Sequence, residues 1–155
     1  MLPAVLVSIW LAFASAFVHY ETLRAIWTRA PRLMRRLGPR RFVLLSVIGA
    51  FAAHALEIVL YALVYWQLDD RLGLGHVGRE GALRFEEALY FSSECYASLG
   101  IGDFATMGPF RLVAGTEALT GLLMIAWTSS FSYLVMRKAW DVEKQEAPHR
   151  HHASA

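Results

Sequence analysis

Leu83–Asp103 runs LRFEEALYFSSECYASLGIGD, and the fold turns on how these residues are read. As far as Ala97, apolar and acidic residues recur at helical spacing with no Gly or Pro between them. Glu86 and Glu87 fall in the first turn, where a helix N-terminus favours carboxylates. The spacing predicts a helix of about 20 Å at ~1.5 Å per residue, well short of the ~30 Å hydrocarbon core of a bilayer. From Ser98 to Asp103 the pattern changes to a Gly-containing extended segment, and Gly108-Pro109 breaks the chain again.

What flanks this stretch explains why a half-length helix matters. On one side lies Phe42–Trp66, apolar except for His54 and Glu57; on the other lies Leu112–Met136, apolar except for Glu117. Each is long enough to span a membrane. Gln67 to Gly81 is polar and Gly-rich, the composition of an exposed loop. A short helix and an extended segment between two full spans form the layout of a re-entrant loop. Non-helical backbone survives at membrane depth only when protein buries it or a water-filled path runs beside it. Leu2–Val18 is a third uncharged stretch. No basic residue precedes it, as a secretory signal requires, so it is expected to be a retained span; Ala14-Ser15-Ala16 keeps cleavage as the alternative. The expected fold class is an all-α membrane protein of three transmembrane helices, with a re-entrant helix and loop between the second and third.

Composition agrees, since 56% of the 155 residues are hydrophobic and only 18% charged, too few to clothe a soluble domain. A net charge of +2 argues against nucleic acid as a partner. A single cysteine, Cys95, excludes an intrachain disulfide and a dithiol couple. No nucleophile, base and metal set can be assembled for catalysis, so an enzyme is not expected. Seven arginines, from Arg24 to Arg41, lie between the first two spans beside one acid, Glu21, and Arg137, Lys138, Lys144 and Arg150 follow the third. By the positive-inside rule both segments are cytoplasmic, and the N-terminus faces out. The outer segment holds Asp69, Asp70, Glu80, Glu86, Glu87, Glu94 and Asp103 against Arg71, Arg79, Arg84 and Arg111. Such an acidic mouth concentrates cations.

Tyr90-Phe91-Ser92 followed by Glu94-Cys95-Tyr96-Ala97-Ser98-Leu99-Gly100-Ile101-Gly102-Asp103 resembles the pore helix and selectivity filter of potassium channels, especially bacterial two-helix channels, whose filter reads Thr-Val-Gly-Tyr-Gly-Asp. Ser98 stands for Thr, Leu99 for Val and Ile101 for Tyr, while both glycines and the aspartate match. The resemblance covers 42–136. It implies an outer helix at 42–66, an extracellular loop at 67–83, a pore helix at 84–97, a filter at 98–103 and an inner helix at 110–136. Outside it lie a first helix at 1–19, a basic linker at 20–41 and a cytoplasmic tail at 137–155. The implied function is a tetrameric channel of the plasma membrane, the inner membrane in a bacterium, passing potassium through the carbonyls of Ser98, Leu99, Gly100, Ile101 and Gly102. Beyond the permeant ion no cofactor is expected, and the partners are further copies of the chain. Carbonyl rings replace the hydration shell of the ion, and Gly100 and Gly102 allow the dihedral angles this needs. Ile101 lacks the hydroxyl of the family tyrosine, which leaves a non-selective or sodium-passing pore, or a non-conducting assembly, as alternatives.

The resemblance also implies that Glu94 and Asp103 lie side by side behind the filter and share a proton. It implies further that Gly121 is a gating hinge, with close helix packing as the other use of a glycine there. It sets Thr128, Ser129, Ser130 and Ser132 along the cavity. His54, Glu57 and Glu117, intramembrane ionisable groups, are expected to join the outer helix to the inner one through hydrogen bonds, with a proton or metal site as the alternative. The linker from Arg24 to Arg41, with Leu23, Ile26, Trp27, Leu33, Met34 and Leu37 interleaved, is suited to lie on anionic lipid as an amphipathic helix. His149, Arg150, His151 and His152 make a weak metal-binding run that supports no site.

Overall fold

The computed structural model describes residues 1–69, 71–78 and 81–152, with side chains described to 144 in the last helix. Asp70, Arg79 and Glu80 of the expected acidic mouth, and the side chains of the His149–His152 run, lie outside the described residues. The architecture is all-helical: α1 (Leu2–Leu37), α2 (Pro39–Leu68), the short α3 (Phe85–Tyr96) and α4 (Phe110–His152). Three of these, α1, α2 and α4, are long and apolar enough to cross a membrane. This is a membrane protein.

Two boundaries differ from expectation. Residues 20–37 do not form a separate surface segment but continue α1, which at about 1.5 Å per residue is roughly 54 Å long. Leu, Met, Arg and Trp are good or adequate helix formers, and Pro31 is absorbed within the helix. The chain reverses at Gly38, whose φ of 84° lies in the left-handed region and whose N–H donates to the Met34 carbonyl at 2.9 Å. Pro39 then starts α2, a position where its missing N–H costs nothing. At the other end α4 runs on past Met136 into the tail as far as His152.

α1 buries Ala4, Ser8, Leu11, Ser15, His19 and Leu23, a stripe three or four residues apart in which small and larger side chains are mixed, against α2 and α4. Its other face leaves Leu6, Phe13 and Phe17 uncovered, as lipid-facing residues would be. Two apolar clusters result. An outer one joins Tyr61, Tyr65, Leu74, Val77, Ala88, Phe91, Phe110 and Val113, so the loop and α3 are packed onto α2 and the start of α4. The other joins Ala30, Met34 and Phe42 to Val135 and Ala139, with the Lys138 ammonium over the Trp27 ring at 4.2 Å. A layer of polar side chains separates the two.

Candidate functional site

α3 is 12 residues long, and Glu87 closes its N-terminus by accepting the Arg84 backbone N–H at 2.9 Å. Its last turn leads straight into 98–103, tied by Ser98 N–H to the Cys95 carbonyl at 3.0 Å and Leu99 N–H to the Glu94 carbonyl at 2.9 Å. Within that segment the sign of φ alternates. Ser98 (54°), Gly100 (61°) and Gly102 (86°) are left-handed, whereas Leu99 and Ile101 are not. Ser98 takes an angle disfavoured for a residue with a Cβ. Leu99 and Ile101 are 63% and 62% exposed, with no neighbour in their own chain to cover them.

Behind the segment is a cavity of about 260 Å³ lined by Phe91, Glu94, Cys95, Ser98, Gly100 and Gly102 among others. Glu94 is buried there, and its Oε1 has no hydrogen-bond partner among the described residues. Asp103 is not hydrogen-bonded to Glu94; its Oδ1 accepts the Phe104 N–H at 3.1 Å. The Tyr90 phenol is held above its ordinary range by desolvation and by the nearby Asp103 and Glu94 carboxyls. Burial, with the Glu117 and Glu94 charges, pushes the Cys95 thiol up to about 12.

Gly121 lies where α4 passes α3. A Cβ at this position would fall 2.0 Å from the Tyr96 carbonyl oxygen and 2.8 Å from its carbon, so only glycine allows this approach. α4 continues as unbroken helix through it.

The buried ionisable residues divide between two networks. Glu117, on α4, accepts the Tyr65 hydroxyl at 2.7 Å and the Ser92 hydroxyl at 2.6 Å, binding α2, α3 and α4 together. Glu57 belongs elsewhere. Its Oε1 is 2.9 Å from His19 Nδ1, and its Oε2 accepts the Tyr96 hydroxyl in a short hydrogen bond. Tyr96 Oη is 2.7 Å from His54 Nδ1; His54 Nε2 is 2.9 Å from Thr128 Oγ1; and Thr128 Oγ1 is 3.0 Å from His19 Nε2. These contacts close a ring through all four helices. His54 therefore meets α4 through Thr128 and not through Glu117. His19 and Tyr96 were not among the residues expected from the sequence. The signal for His19 was there: it continues the Ala4, Ser8, Leu11, Ser15 stripe.

A half-length helix and a segment of alternating φ, held between two full spans, is an arrangement for passing ions, and a comparison with known families decides the matter. The family model described as "Ion channel" matches residues 44–137, more than half of the chain. The chain belongs to the ion channel family. Neither the curated proteins nor the solved structures yield a match. The part of the channel that matches runs from early α2 into α4, so the whole of α1, with His19, lies before it.

Proposed function

We propose that four copies of this channel surround a potassium-conducting pore whose selectivity filter is Ser98–Asp103. The observation that carries the reading is the alternating sign of φ at Ser98, Gly100 and Gly102. In a strand of uniform sign successive carbonyls face opposite sides, whereas alternation turns them to one side, as a cation stripped of water requires. α3 then acts as a re-entrant pore helix whose C-terminal end, carrying about half a negative charge, faces the ion. The exposed Leu99 and Ile101 support assembly, because further copies would cover them. One segment per chain cannot form a ring, and four around an axis can.

The arginine distribution supports a plasma-membrane channel with its N-terminus outside and its C-terminus in the cytoplasm. Anionic lipid is a partner at Arg24–Arg41, where a groove of about 680 Å³ between α1 and α2 is lined mostly by apolar side chains, with Arg29 and Glu21 among its lining residues. Gly121 serves as the place where movement of α4 is felt by Tyr96, one residue before the turn into the filter. Ile101 favours a second reading, a non-selective pore, because no side chain of its own chain pins it and its outward packing is weaker than that of an aromatic ring.

The test is rubidium uptake into potassium-loaded liposomes holding the purified channel. Uptake abolished by Gly100→Ala and suppressed when sodium replaces internal potassium is the expected result. Uptake that survives Gly100→Ala excludes the filter, and no uptake from correctly assembled tetramers excludes conduction.

A further inference from the structure

The geometry points to a divalent transition-metal site inside the membrane, formed by His19, His54, Glu57 and Tyr96, in the class of ions that zinc represents. His19, His54 and Glu57 each bring a ligand atom to within 4.8 Å of the others. Tyr96 Oη adds an oxygen 2.7 Å from His54 Nδ1, and Glu57 Oε1 lies 2.9 Å from His19 Nδ1 and Oε2 3.9 Å from His54 Nδ1. Four ligands at zinc's bond lengths of about 2.0–2.1 Å stand roughly 3.3 Å apart when tetrahedral, which these separations bracket. Imidazole and carboxylate together are a donor set that binds such ions, and His19 and Glu57 are fully buried.

The surroundings fit as well. A metal-bound imidazole holds its orientation by donating its other N–H to an oxygen. Here both Nε2 atoms meet one oxygen, Thr128 Oγ1, which has two lone pairs to accept them. Charge also balances. With Glu57 ionised and both imidazoles neutral, Thr128, Tyr96, His19 and His54 supply four hydrogens for the five contacts of the ring. Filling all five contacts with a hydrogen would take one further proton and make the ring neutral. A divalent ion that displaces this proton and the Tyr96 hydroxyl proton leaves the site neutral again, as an apolar interior demands. Two protons leave and one M²⁺ enters. Such an ion would clamp α1 to Tyr96, at the end of α3.

The inference does not rest on conduction, since binding is read without flux. Purified channel with His149, His151 and His152 replaced by alanine is dialysed against zinc, and metal per chain is measured. One zinc per chain is expected, with affinity at least tenfold weaker in His19→Ala and in Glu57→Gln. A second readout needs no variant in the ring: cobalt in place of zinc should give the intense visible bands of a four-coordinate centre, with the ultraviolet difference spectrum of a tyrosinate. No stoichiometric zinc, zinc retained equally by both variants, or six-coordinate cobalt without the tyrosinate signal would overturn the site.

Discussion

The segment 98–103 and the ring of His19, Glu57, Tyr96, His54 and Thr128 are separated by a single residue, Ala97, yet they are opposites. In the ring every polar atom that lies between two helices has a partner within the chain. In the segment, Leu99 and Ile101 are uncovered, three left-handed residues alternate with ordinary ones, and Glu94 behind it keeps an oxygen without a partner among the described residues. Buried polar groups left unpaired are costly, so on the proposed reading the open site is the one that further copies of the chain complete. The ring joins the helices within one chain.

The contrast breaks most sharply at Gly100. A Cβ there meets no atom of its own chain within 4 Å, so within one chain the cost of Gly100→Ala comes from the backbone angle, about 1–2 kcal/mol for a left-handed residue. Rubidium flux should fall to background, while the thermal midpoint drops by less than in Glu57→Ala. On the ring side the expectation is reversed. Glu57→Ala removes the fully buried carboxylate that pairs with His19 and Tyr96 and should cost about 3–5 kcal/mol, read as a large drop in midpoint in detergent.

Gly121 lies on the border between the two. Gly121→Ala puts a methyl group on the Tyr96 carbonyl, and overpacking of about 1–3 kcal/mol is expected together with a loss of flux, because Tyr96 leads into the segment. The smallest effect is reserved for Arg40→Ala. Its ion pair with Glu143, at 3.3 Å, is exposed, so the midpoint should shift by less than about 0.5 kcal/mol and flux should stay unchanged.

Apolar length alone made the three spans legible, and the absence of Gly and Pro over Leu83–Ala97 made the half-length helix legible too. The extent of α1 was hidden because Arg24 to Arg36 look like a linker when only hydropathy is followed, whereas charged residues extend a helix freely once it leaves the membrane. The packing of α1 lay in a stripe of small residues, Ala4, Ser8 and Ser15, whose meaning depends on which helix covers it. Glu57 and Glu117 were recognisable as groups in need of partners. Their partners, His19 at a separation of 38 residues and Tyr65 at 52, depend on how the helices are arranged, which no local pattern encodes. The left-handed angle of Ser98 was equally out of reach, since serine carries no preference for it.

The most direct measurement of the central claim is the reversal potential of the purified channel in a planar bilayer with potassium on one side and sodium on the other. A reversal potential displaced far toward the potassium equilibrium value, and lost with the current in Gly100→Ala, is predicted. A current that reverses near zero would contradict a potassium filter at Ser98–Asp103.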